Sequence, residues 1–267
     1  WGEAGVGVIA TQSFVNPDFG PQGLALLKTG LTAQQALDAM IATDEGRDVR
    51  QLAIVDARGN VASYTGKMCI QAAGHVQGKA YSVQANFMEN ETVWPAMSKA
   101  YEETEGPLAE RLVAALEAAQ EAGGDIRGKQ SAAILVVRPT STGKVWQDRL
   151  VDLRVEDHPE PVKELKRLLK THRAYEHMNR GDLAVEEGNT EKALEEYGAA
   201  ETMFPNNEEM KFWHAVSLIN MGKMKEGKTL LKKVFSMNEN WRTLTPRLVP
   251  NGLLKVSETQ LTEILAL

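Results

Sequence analysis

One cysteine, Cys69, stands in the 267 residues. That excludes an internal disulfide and a cysteine metal cluster and leaves the redox compartment open. A basic excess is missing too, since 30 Lys and Arg face 36 Asp and Glu for a net charge of -6. Without unbalanced, clustered cations there is no general attraction for phosphates or anionic lipid, so no nucleic-acid partner is expected. No stretch reaches the 18 or more uncharged apolar residues of a membrane span, and no basic-then-apolar signal segment opens the chain. The compartment stays open between the cytoplasm and export behind a signal peptide preceding Trp1.

Catalytic signatures are equally sparse. None of His75, His158, His172, His177 and His214 sits in an HExxH or a Cys/His cluster, so neither a metal nor a cofactor is expected. His172 and His177, five apart, would lie about 140° apart on a helix. No GxxxxGK[ST] occurs, and "GVGVIA" has the wrong spacing for a dinucleotide turn. A GxSxG elbow is absent, and Ser13, Ser82 and Ser131 have no local partner that fixes a base. The paired carboxylates Asp148 and Asp152, or Glu156 and Asp157, lie near strand ends and read as solvated charges.

What is present falls into two textures. "GVGVIAT" reads as a strand, and "GPQGLALLKTGLTAQQALDAMIATD" as helical, with Thr32 as N-cap and Ala36, Leu37, Met40 and Ile41 at helical spacing. "RQLAIVDARGNVASYTG" predicts two strands turned around Arg58, Gly59 and Asn60. "AYSVQANFM" is a further strand. Two helices follow, broken at Gly106 and Pro107 and stopped by Gly123 and Gly124, and "SAAILVVRP" and "DRLVDLRVED" close the half with two strands. This order suits a sheet layer covered by helices, an α+β class. The unbroken apolar run of Ala132 to Val137 predicts a strand covered on both faces.

Pro159 and Pro161 then start a helix and β-rich composition ends, so we place domains at 1–158 and 159–267. In the second, a shift of 34 residues superposes Gly188 on Gly222, Ala193 on Gly227, Tyr197 on Leu231 and Ala200 on Val234. With Gly181 and Pro205 as small and terminating positions, the region resembles the tetratricopeptide family of helix hairpins. The match departs at His177, where a large aromatic is usual, and at Gly227, where alanine is. Two repeats are few for such an array, so a helix from Pro161 to His172 and "SETQLTEILAL" are expected to cap it.

Polar residues also occupy places where apolar ones belong. Thr11, Gln12 and Asn16 follow a buried-type strand, Ser82, Gln84 and Asn86 share one face of theirs, and Gln130 and Ser131 stand at the mouth of "AAILVV". A solvated face, a bonded internal network and a substrate-binding floor are all compatible with that pattern.

Taken together, "AGVGVIATQSFVNPDFGPQGLALLKTGLTAQQALDAM", "RQLAIVDARGNVASYTG", "AGHVQGKAYSVQAN" and "GGDIRGKQSAAILVV…DRLVDLRVEDHPEPVKELKRLL" resemble the DUF1028 family, uncharacterised proteins placed among the Ntn hydrolases. The resemblance covers roughly the first two thirds of the chain. It implies an αββα sandwich, an N-terminally truncated one here, joined to an all-α tetratricopeptide-like domain. It also implies hydrolysis of a small amide or peptide-like substrate by an N-terminal Thr, Ser or Cys. Trp1 can fill neither role of that residue, so the nucleophile is expected upstream of Trp1 and this chain alone is expected to be inactive. Thr11, Gln12, Gln84, Asn86, Gln130 and Ser131 become candidates for binding substrate or its oxyanion. Arg149 is a candidate for holding a substrate carboxylate, against the alternative of a surface salt bridge. The rival expectation is a non-enzymatic assembly protein binding a protein partner through residues 174–240; a homo-oligomer is left open.

Overall fold

Alternation decides the first sheet. β2 (Gly7–Ser13), β3 (Arg50–Asp56) and β4 (Val61–Thr65) pair antiparallel, with the short β1 (Gly2–Glu3) on the outer side of β2. Side chains of a strand alternate between faces, so Ile9, Leu52, Ile54 and Ala62 share one face and pack against two helices, α1 (Phe19–Lys28) and α2 (Ala33–Thr43). Leu52 and Ile54 are fully buried there, each worth about 1.5–3 kcal/mol relative to exposure. Thr32 caps α2 through the backbone N–H of Gln35, whose side chain accepts from the Thr32 N–H in return. Ala36, Leu37 and Met40 are buried as their spacing predicts.

The hairpin between β3 and β4 is held by Asp56. Its carboxylate accepts from the backbone of Arg58 and Asn60, the Asn60 amide and the Ala33 N–H at the start of α2. Burial works to raise the Asp56 pKa, but these bonds outweigh it and hold the carboxyl below its ordinary value. A carboxylate with a depressed folded pKa contributes stability above its unfolded pKa, about 3.9, and loses it as pH falls through the folded value. Asp56→Asn is therefore expected to be less stable than the parent at pH 7. Urea titrations at a series of pH values should show the gap closing below about pH 4; a constant gap would mean that the charge is not what Asp56 contributes.

The other face of this sheet carries three cross-strand rows: Val8, Val55 and Val61; Ala10, Ala53 and Ser63; Gln12, Gln51 and Thr65. Against it lies a second layer made of two hairpins, β5 (Gly74–Gly78) with β6 (Tyr81–Ala85), and β7 (Ala132–Val137) with β8 (Arg149–Val155). Beyond them pack α3 (Val93–Glu103) and α4 (Leu108–Glu121). Tyr81 and Val83 meet Tyr101 and Ala115 in one cluster, while Ile134 and Val151 meet Ala109 and Val113 in another. The result is a mixed α/β unit in which helices flank two β layers.

β7 differs from its expected environment. Ala133 is exposed and most of the strand is only half-buried, because it pairs with β8 alone and lacks a neighbour on its other side. A turn of helix, α5 (Val145–Asp148), precedes β8, and the buried Asp148 there accepts bonds from Ser141 and Thr142.

The computed structural model describes residues 1–267 and separates into two compact units, Trp1–Leu169 and Lys170–Leu267. The division falls inside α6 (Pro161–Glu186), later than the composition change after residue 158. α6 also runs on without a stop at His172, contrary to the expected separate capping helix. No Pro or Gly lies between Val162 and Arg180, so nothing ends the helix there.

In the second unit the later part of α6 is followed by α7 (Thr190–Met203), α8 (Glu208–Asn220), α9 (Met224–Met237), α10 (Asn240–Leu244) and α11 (Glu258–Leu265). Asn189, Asn207 and Ser257 cap α7, α8 and α11. The Tyr197 ring occupies the space beside Gly181, 2.5 Å from where a Cβ would stand, and Ile219 does the same at Gly227. α7 ends before Pro205 with Phe204 as C-cap. Phe212, Leu231, Val234 and Ile264 form the fully buried centre of the last four helices.

Candidate functional site

Strand β6 delivers Gln84, and its continuation delivers Asn86, into a cavity of about 820 Å3 in the first unit. Gln12 and Ser13 from β2, Ser131 before β7, and Asp125 and Arg127 from the loop after α4 complete its polar wall. Met97, Leu116 and Phe87 supply the apolar part. Phe87 sits at φ 63°, left-handed backbone that a non-glycine residue rarely adopts. The Arg127 guanidinium lies 4.3 Å from the centre of the Phe87 ring. Arg127 also holds Asp125 in a two-point ion pair, at 2.6 and 2.9 Å, and its hydrogen bond lowers the Asp125 pKa.

The two β layers meet behind this wall through polar side chains. Gln51, with no exposed surface, donates from Nε2 to Thr65 Oγ1 at 3.0 Å, to Gly74 O at 3.2 Å and to Ala85 O at 2.9 Å. Its Oε1 accepts from Asn86 Nδ2 at 2.9 Å. Thr65 Oγ1 lies 2.8 Å from His75 Nδ1, and burial lowers the His75 pKa. Ser63 and Ser82 bond across the layers at 2.7 Å, and Ser82 donates to Gln84 Oε1 at 2.8 Å. Buried amides and hydroxyls cost free energy unless paired, and almost all of these are.

The exceptions are two. Gln12 Oε1 and Thr11 Oγ1 are buried and have no partner. Gln12 stands on the cavity wall, with its orphaned acceptor buried just beneath that wall. Thr11 alternates with Gln12 and points to the opposite face, on the side of Ile9 and the helices α1 and α2, away from the cavity.

Of the other expected residues, Gln84, Asn86 and Ser131 reach the cavity with Gln12. Gln130 does not. It is exposed on a neighbouring cleft of about 550 Å3 with Lys129 and Asp157, which Ser131 also borders. Arg149 lies outside both; half-exposed on β8, it pairs with Asp152 at 2.6 Å, a surface ion pair worth little. Gln51, Thr65 and Arg127 carried no expectation from the sequence, and His75 was weighed only as a metal ligand. Gln51 had one signal, an amide opening the otherwise apolar strand "QLAIV". No cluster of three or more His, Cys, Asp or Glu could hold a metal ion, and no helix is long and apolar enough to cross a membrane.

No curated protein resembles the chain. A crystal structure of a Silicibacter pomeroyi protein carrying the DUF1028 family model superimposes with a TM-score of 0.57 at 32% sequence identity, over 64% of this chain and 71% of that one. The model described as "Family of unknown function (DUF1028)" matches residues 1–165, the stretch that builds both β layers and the cavity, and the chain belongs to that family.

Proposed function

We propose that the first unit is an Ntn-hydrolase-like αββα sandwich whose 820 Å3 cavity binds a small amide or peptide-like substrate. The carrying observation is Gln12 Oε1, a buried acceptor without a partner on a wall where Gln84, Asn86 and Asp125 are bonded. An amide N–H is the donor that would satisfy it once the Gln12 side chain turns toward the cavity, and the half-buried Asn86 and exposed Ser131 on the same wall can meet the amide's other groups. In this reading residues 1–165 bind and orient the substrate for attack by a hydroxyl or thiol at the mature N-terminus. The second unit reads as tetratricopeptide-like hairpins, supported by the small residues Gly181 and Gly227 at the close approaches of paired helices.

N-acetylalanine amide is the probe, with binding read by saturation-transfer NMR. Gln12→Leu removes an unpaired acceptor and no hydrogen bond, so the variant is expected to keep or gain about 1 kcal/mol of stability while losing the probe. Retention of binding by a folded Gln12→Leu would remove the basis of the site. Hydrolysis is decided by the mature N-terminus of the full-length protein: Thr, Ser or Cys, acylated by a reactive probe and located by mass spectrometry, supports it. Any other residue there favours an assembly protein acting through residues 174–240.

A further inference from the structure

A guanidinium has two edges on which a planar anion can sit, a side formed by Nε and Nη2 and an end formed by Nη1 and Nη2. Arg127 has engaged only the first. Its Nε and Nη2 hold Asp125 at 2.9 and 2.6 Å, and its backbone N–H also donates to Asp125 Oδ1. Nη1 and the second proton of Nη2 bond nothing in the chain. The Phe87 ring lies against the guanidinium, and the Phe87 carbonyl accepts from the Ile126 N–H, tying ring and loop together. An ion pair as exposed as that of Arg127 and Asp125 adds little to stability. Its effect is orientation: the fork is held before a ligand arrives, so less freedom is lost per bond when one binds.

Arg127 also stands where two openings meet. Gln120, Asp125, Arg127 and Ser131 border both the large cavity and the neighbouring cleft of about 550 Å3. The one anion among them, Asp125, is taken up by Arg127, whereas the Gln120 amide and the Ser131 hydroxyl have no partner in the chain. The junction thus offers open N–H and O–H donors from three residues and no unpaired negative charge. In the cleft beyond it, Lys129 and Asp157 offset one another in sign. On the cavity side Val93, Met97, Leu116 and Ala119 make an apolar lining. We infer that Arg127 sets the specificity of the cavity, and that the substrate is an N-acyl amino acid. Its free carboxylate seats on the open Nη1–Nη2 edge beside Ser131 and Gln120, and its acyl group lies among Val93, Met97 and Leu116. The inference rests on the amide-binding reading of the cavity and adds to it the charge that the substrate carries. A neutral amide leaves the open edge unused, and a substrate with an ammonium group there would set a second cation against Arg127.

N-acetylalanine and N-acetylalanine amide differ only in that carboxylate. In saturation-transfer NMR titrations of the whole chain at low salt and pH 7, the acid is expected to bind about fivefold more tightly than the amide. The ratio should shrink in about 0.5 M salt, because a pair at a cavity mouth is screened. Arg127→Gln should bring the ratio to one or below, since Asp125 then stands unpaired beside the site. Asp125→Asn combined with Arg127→Gln keeps the parent's net charge and should also show no preference, which separates loss of the fork from repulsion by Asp125. If the amide binds the parent and the acid binds no better, the inference falls while the amide site stands. If neither binds, both fall together. A preference that survives in the double variant would assign the carboxylate to another group and equally overturn the role of Arg127. Should a variant fail to fold, the parent's ratio and its response to salt decide.

Discussion

Gln51→Met is expected to lower the stability of the first unit by about 3 kcal/mol, because two or more buried groups are orphaned at about 1–3 kcal/mol each. The side chains are close in size, so the loss would not come from a cavity. Gln51 Nε2 serves Thr65 and the carbonyls of Gly74 and Ala85, and Gln51 Oε1 serves Asn86. Methionine can replace none of those bonds. Chemical denaturation measures the loss, and faster exchange of the Asn86 side-chain amide would place it at the seam between the layers. A change below about 1 kcal/mol would mean that those groups find water or each other, and that the layers are held by their apolar rows instead.

Phe212→Ala should be as damaging in the second unit, at about 3–5 kcal/mol. Phe212 has no exposed surface, and its ring lies 4.6 Å from that of Trp241 and 5.5 Å from that of Trp213, centre to centre. Truncation leaves a ring-sized void among Leu231 and Val234 of α9 and Ile264 of α11, side chains on two separate helices that cannot collapse into it together. Both tryptophans become more mobile, so their fluorescence should shift to the red in the native baseline and during an earlier unfolding transition. A full-length melt unaltered in Tm by Phe212→Ala would contradict the packing described here.

Local patterns carried most of the fold. Thr32 announced the start of α2, Arg58 to Asn60 the hairpin, and Gly123 with Gly124 the end of α4, because each rests on short-range interactions between neighbours in sequence. The seam between the β layers was less legible. Ser82, Gln84 and Asn86 could be placed on one face from alternation, but their partners Ser63 and Gln51 are 19 and 35 residues away. Alternation also separates Thr11 from Gln12, although adjacency in the sequence had joined them. Gln130 and Ser131 part for a related reason: the chain is turning into β7, and only Ser131 follows it to the cavity. Arg149 faced the same ambiguity as any arginine near acids, and Asp152 resolved it. The length of α6 was readable from the missing breakers, had the repeat pattern not suggested a boundary.

The buried amide of Gln51 cannot turn around, since Nε2 faces two carbonyls that only a donor can satisfy. Asn86 must therefore donate to Gln51, while the two protons on Gln51 Nε2 are shared among the Gly74 and Ala85 carbonyls and Thr65 Oγ1, which in turn hydrogen-bonds His75 Nδ1. His75 borders a separate cleft with Thr65 and Trp94, while Asn86 borders the large cavity. A chain of hydrogen bonds thus runs from the wall of one opening to the wall of the other, and because linked hydrogen bonds polarise one another, a guest that competes for the Asn86 amide is expected to register at the imidazole.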